Sequence, residues 1–114
     1  MKPGDMILTP VPQADGKLKK RPAIILKEMP GYGDFLVCGV STQLQHYIYD
    51  FDNIISPEDE DFKLSGLTMK SLIRLGFLAI IPKSNILGTI GSISNERYNG
   101  LLKTLCNYLS KNIR

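Results

Sequence analysis

Only one stretch of this 114-residue chain carries a helical period. Tyr98, Leu101, Leu102, Leu105, Cys106 and Leu109 recur at steps of three and four, which lays one apolar stripe along a helix. Ser94 stands where an N-cap belongs, and Glu96 falls in the first turn, where the helix dipole favours a negative charge. Gly100 costs such a helix about 1 kcal/mol relative to Ala and offers a place for close packing on the sheet. Everything upstream is divided by Pro and Gly into short runs rich in β-formers. The expected fold is therefore mainly β. It has about six to seven short strands with one C-terminal α-helix closing the core, most simply as a small bent barrel that leaves few exposed edges.

Strands are expected at 6–10, stopped by Pro10 and Pro12, and at 23–27, where Pro22 can begin the strand because its first residue need not donate. Further strands are expected at 35–42, 68–75 and 77–81, with a short strand or irregular turn at 86–92. Residues 13–20 read as a solvated loop bent at Asp15-Gly16, and 43–49 as a further extended piece. Gly39, inside an apolar strand, marks a bulge or a close approach by another segment. The length argues for one domain, 1–114, with one core.

Composition narrows the function by exclusion. A net charge of +3 permits a polyanionic partner without selecting one. Cys38 and Cys106 form no paired motif and read as small core residues in a reducing compartment. One His and no Cys-x-x-Cys leave no metal-ligand pattern, and no cofactor motif is present. No apolar stretch approaches the roughly 20 residues of a membrane span. Met1 to Asp5 holds no apolar run of the signal-peptide kind, so the expected location is cytoplasmic.

The chemistry gathers in two stretches, Lys17-Leu18-Lys19-Lys20-Arg21-Pro22-Ala23-Ile24-Ile25-Leu26 and Phe35-Leu36-Val37-Cys38-Gly39-Val40-Ser41-Thr42-Gln43. If these strands are neighbours, Arg21 at the start of one lies near Ser41, Thr42 and Gln43 at the end of the other. A guanidinium takes a phosphate in two parallel hydrogen bonds, and hydroxyls can hold its remaining oxygens. Lys17, Lys19 and Lys20 can add phosphate contacts, and Arg74 is a second cation on an alternating strand. Tyr32, Tyr47 and Tyr49 could stack unpaired bases or serve in packing. His46, the only histidine, has the side chain of a general base but matches no catalytic position of a recognised pattern and reads as a surface residue. The acidic run 58–61 reads as a solvated loop that would repel RNA.

Taken in order, these segments resemble a known family. Gly4-Asp5 precedes the first strand, Lys20-Arg21-Pro22-Ala23-Ile24-Ile25-Leu26 follows a variable loop, and then comes Gly39-Val40-Ser41-Thr42-Gln43. Ser65-Gly66-Leu67 leads to Ser71-Leu72-Ile73-Arg74, and Ile90-Gly91-Ser92-Ile93-Ser94 opens the terminal helix. The pattern resembles the MazF/PemK toxins of type II toxin–antitoxin systems across nearly the whole chain. That resemblance implies an SH3-like barrel of the MazF/CcdB type and a homodimer; an apolar patch around Ile80, Ile81 and the helix could supply its contact. It also implies a metal-independent, sequence-specific endoribonuclease, an mRNA interferase acting on single-stranded RNA, and an antitoxin partner that fills the RNA groove.

By position, Arg21 matches the arginine the family sets at the scissile phosphate, and Ser41 matches its usual threonine. Thr42 stands beside Ser41, so either hydroxyl can serve. Arg74 matches a second basic position of the PemK branch. The aspartate discussed as a base in that branch is replaced here by Gly76. The residues thus proposed are Arg21, Ser41 and Thr42 for catalysis and Lys19, Lys20, Gln43 and Arg74 for substrate binding. The alternatives are a non-cleaving RNA- or protein-binding module on the same barrel and a CcdB-like gyrase poison.

Overall fold

The computed structural model describes residues 1–12 and 14–114; Gln13, first residue of the expected 13–20 loop, lies outside them. Six strands form one antiparallel sheet: β1 Asp5–Pro12, β2 Leu18–Glu28, β3 Phe35–Ser41, β4 Asn53–Ile55, β5 Ser71–Ile81 and β6 Gly88–Ser92. Their order across the sheet is β4-β5-β3-β2-β1-β6. A short α1, Phe62–Ser65, precedes β5, and α2, Asn95–Leu109, ends the fold. The sheet curls into a half-barrel whose two edges, β4 and β6, are not paired to each other.

Strand β2 explains the layering. Its apolar run lacks polar alternation because both faces are covered. Ile24 and Leu26 point to one side with Met6, Cys38, Ile73 and Leu75, where Leu101 and Leu105 of α2 close the main core. Ala23 and Ile25 point to the other side with Ile7, Phe35 and Val37, partly covered by Ala79, Ile81 and Ile86. The two sets follow the period-two alternation of a strand. Ser94 caps α2 as expected, its side chain accepting from Arg97 N at 3.1 Å, and Tyr98 Oη donates to Leu26 O at 2.7 Å.

Several local expectations are corrected. Pro10 and Pro12 do not stop β1, because β6 pairs only as far as Leu8. Beyond that point β1 is an edge, where a missing N–H costs no ladder bond. β1 and β2 continue together as a ribbon, with Pro10 opposite Lys20, so Lys19 and Lys20 are strand residues. The turn keeps Asp15-Gly16, with Lys17 N donating to Asp15 Oδ1 and Gly16 at φ +82°. Segment 43–49 is not extended; it holds a 3-10 turn at Leu44–His46.

The two strands expected at 68–75 and 77–81 are one strand with a wide bulge. Cys38 pairs with Leu78 while the next residue, Gly39, pairs with Arg74. Asp52 supports this break: it is buried, and its carboxylate accepts from Leu75 N and Ile48 N.

The acidic run is not simply solvated. Asp61 is buried and, with Asp59, holds the guanidinium of Arg97, which also donates to Asn53 Oδ1 and Ile54 O on edge strand β4. Cys106 and Leu109 fall on the exposed side of α2, so Cys106 is not a core residue; Cys38 is. Gly100 has no neighbour within 4 Å of where a Cβ would stand and packs on nothing. Ile80 and Ile81 alternate to opposite faces of β5, so they and α2 do not make one patch.

Candidate functional site

The face of the sheet opposite α2 carries the site. Thr9 is paired with Arg21 across β1 and β2. Ala23 is paired with Gly39 across β2 and β3, and two more residues along this register bring Arg21 opposite Ser41. Alternate residues share a face, so Thr9, Arg21 and Ser41 form a row that continues the Ile7, Ala23 and Val37 side. Gly39 pairs in turn with Arg74 on β5. Two adjoining rows on the same face of the sheet thus set two guanidiniums and two hydroxyls along one wall.

Over these rows lies an open cleft of about 280 Å³. Its polar lining is Thr9, Arg21, Ser41, Gln43, His46 and Arg74, and its floor includes Ala23, Val37, Phe77 and Ala79. The Ser41 hydroxyl accepts from Gln43 N at 3.0 Å, which turns the chain out of β3 and into the 3-10 turn that presents His46. Phe77, at the bulge, lies beneath the Arg74 guanidinium, with Cζ 5.2 Å from the ring centroid. A cation over an aromatic face is held in place without losing its charge. Gly39 makes room for this ring: a Cβ there would stand 2.9 Å from Phe77 Cδ1.

The sequence-selected residues separate into three groups. Arg21, Ser41, Gln43 and Arg74 line the cleft together. Thr42 lines a smaller adjoining recess of about 150 Å³, into which Arg21 and Ser41 also face, together with Thr68 and Ser71. Lys19 and Lys20 lie on the β1–β2 ribbon, exposed, and line neither cavity. Gly76 stands apart from the cleft, lining a separate groove with Tyr49, Phe51, Asn107 and Tyr108. The position that carries a carboxylate in the PemK branch therefore looks away from Arg21. Tyr32 and Tyr49 are almost fully exposed.

Two cleft residues are not placed in the site by sequence reasoning. His46 belongs to a segment whose sequence reads as extended, and only the turn at Leu44–His46 swings it over the sheet. Thr9 is buried, and its hydroxyl is the one buried side-chain polar atom among the described residues with no hydrogen-bond partner. Its pairing with Arg21 becomes visible only once β2 is known to begin at Leu18 rather than at residue 23.

Residues 2–109 match the model of a family described as the PemK-like, MazF-like toxin of type II toxin–antitoxin system. Among solved structures, the fold is similar to Mycobacterium tuberculosis toxin MazF-mt6. That likeness has a TM-score of 0.68 at 17% identity and covers 96% of this chain and 99% of that one. It is also similar to an endoribonuclease in complex with its cognate antitoxin from Mycobacterial species, with a TM-score of 0.69 at 12% identity, over 100% and 99% of the two chains. Comparison with curated proteins returned no match.

Proposed function

The chain belongs to the PemK-like, MazF-like toxins of type II toxin–antitoxin systems, and from that premise we propose that it is an endoribonuclease toxin cutting single-stranded RNA in the cleft between Arg21 and Arg74. The observation that carries this reading is the convergence of Arg21, Ser41, Gln43 and Arg74 on one open cavity. Two fixed cations, a hydroxyl and an amide in a largely apolar groove suit a phosphodiester with a base beside it.

RNA carries its own nucleophile, the 2′-hydroxyl, so the cut needs no metal-bound water. The 2′-oxygen attacks phosphorus as the bond to the 5′-oxygen breaks, leaving a 2′,3′-cyclic phosphate and a 5′-OH. Charge gathers on the non-bridging oxygens as the phosphorane forms. Arg21, held by the β-ladder rather than by a loop, offers paired donors to that charge, and Ser41 offers a third. Arg74, steadied on Phe77, serves a neighbouring phosphate. The exposed Lys19 and Lys20 on the ribbon add salt-dependent attraction along the backbone.

The structural relative described as an endoribonuclease in complex with its cognate antitoxin supports a protein partner, which in this reading covers the cleft in the resting state. A homodimer is part of the same reading. Among the described residues no helix is long and apolar enough to cross a membrane.

The test is to incubate the purified protein with mixed-sequence single-stranded RNA in EDTA and map the ends. Cyclic phosphate and 5′-OH ends, lost at least about 100-fold in Arg21→Ala, are the expected result. Intact RNA bound with a measurable Kd would instead make the chain a binding module.

A further inference from the structure

The cleft holds cations and neutral donors, yet a 2′-hydroxyl attack also needs somewhere for its proton to go. Position 76, where the PemK branch has its aspartate, is glycine and lines a different groove. Among the residues lining the cleft, no Asp or Glu is present. Arginine is not a proton acceptor at working pH, and neither the hydroxyls of Thr9 and Ser41 nor the amide of Gln43 is a base of useful strength. One lining side chain remains. Resting on the nuclease reading above, the geometry points to His46 as the general base that takes the 2′-hydroxyl proton.

Its placement suits the task. His46 ends the 3-10 turn Leu44–His46, whose backbone is fixed by His46 N donating to Gln43 O at 3.1 Å and Tyr47 N donating to Leu44 O at 3.1 Å. The turn starts from the Ser41–Gln43 bond, so the imidazole is tied by a short, hydrogen-bonded path to the hydroxyl that faces the phosphate. It is exposed at the mouth of the cleft, where a ribose can reach it.

The charged groups facing it across the cleft are Arg21 from β2 and Arg74 from β5. Asp52, buried behind the turn, has both carboxylate oxygens engaged by backbone N–H groups. Both guanidiniums stay cationic across the pH range of any assay and cannot accept a proton, so imidazole is the lining group with the chemistry of a general base.

The step balances as follows. The 2′-oxygen forms its bond to phosphorus and its proton passes to an imidazole nitrogen of His46. The bond from phosphorus to the 5′-oxygen breaks, and that oxygen takes a proton from water. Imidazolium then returns its proton to solvent. A base of this kind contributes about 100-fold or more.

The experiment uses the full chain. A cleavage site is first mapped on mixed-sequence single-stranded RNA. Two synthetic oligonucleotides are then made across it, one natural and one with sulfur in place of the 5′-bridging oxygen, a leaving group that needs no proton. His46→Gln and His46→Asn are compared with the native protein, with circular dichroism as the folding control.

The expected result is a loss of about 100-fold or more on both oligonucleotides, together with loss of the acidic limb of the kcat/KM profile. That limb falls with decreasing pH because only neutral imidazole accepts a proton. Native rates in both variants overturn the proposal while leaving the nuclease reading intact. A loss on the natural oligonucleotide that the sulfur substrate rescues also overturns it, making His46 the acid instead. Intact RNA with the native protein removes both readings together.

Discussion

Arg97 grips Asp61 with two of its nitrogens, Nε to Oδ2 at 2.8 Å and Nη2 to Oδ1 at 3.0 Å. The pair is sheltered, with 14% and 5% of the two side chains exposed. The same guanidinium reaches Asp59, Asn53 and Ile54, so one side chain pins the start of α2 to the acidic segment and to the sheet's short edge. Arg97→Met strands a buried carboxylate and is expected to cost about 3 kcal/mol, read as a shift in the urea midpoint. Burial alone would push the Asp61 carboxyl up. Hydrogen bonds from Arg97 and the Ser94 N–H, with the Arg97 charge, outweigh it and hold the carboxyl below its ordinary value. Its contribution is therefore complete above the unfolded value of about 4 and is lost as pH falls through the lower folded value. Below pH about 4 the native protein should lose stability more steeply than Asp61→Asn.

Two Gly→Ala changes should move stability in opposite directions. A Cβ at Gly91 would stand 2.2 Å from Leu64 O and 2.5 Å from Ser65 C, both backbone atoms that cannot swing aside. This is where α1 lies against edge strand β6, so Gly91→Ala should destabilise by about 3 kcal/mol. Gly100 lies inside α2 with nothing within 4 Å. Gly100→Ala should gain about 1 kcal/mol from helix propensity alone. Thermal melts of the two variants check both signs.

Thr9 is 3% exposed with its hydroxyl unpartnered. An orphaned buried hydroxyl is a standing desolvation cost. Thr9→Val keeps the shape, suits a strand, and should raise stability by about 1 kcal/mol. Chemical denaturation measures this directly.

What the sequence disclosed follows from how local each cause is. The α2 stripe from Tyr98 to Leu105, its Ser94 cap and the apolar β2 run are set within a few residues and stand where periodicity places them, whereas Cys106 and Leu109 at the end of the stripe are exposed. Arg21 and Ser41 could be brought together because two adjacent strands and a turn already imply their pairing. Strand β4 was invisible: three residues, Asn53–Ile55, hold an edge through Arg97, more than forty positions later. Gly76 reads as a break between strands because a bulge and a break look alike until Asp52 is seen to satisfy the freed N–H of Leu75. His46 stood out as the only histidine, but its place in the cleft carried no local signal, since it depends on where the turn Leu44–His46 aims it.

The two thiols should differ sharply in reactivity. Cys38 is fully buried in β3, and burial pushes its thiol up to about 12; Cys106 is exposed on α2. The thiolate is the reacting form. Ellman's reagent should titrate one thiol in the native protein and two in denaturant, and Cys106→Ser should abolish the native reaction. Two fast native thiols would mean that α2 does not cover β3 as described.

Phe77 and Gly39 form the last pair whose coupling can be measured. The ring crosses over Gly39 and carries the Arg74 guanidinium on its face. Gly39→Ala places a Cβ 2.9 Å from Phe77 Cδ1. The ring is 48% exposed and can swing outward, so the fold should lose no more than about 1 kcal/mol. Arg74 then loses its support and its fixed position in the cleft, which should raise KM for RNA several-fold. Phe77→Ala should produce the same KM change, and the double variant should be no worse than either alone, because both act by releasing one guanidinium. Additive losses would show that Gly39 and Phe77 serve the cleft by separate routes.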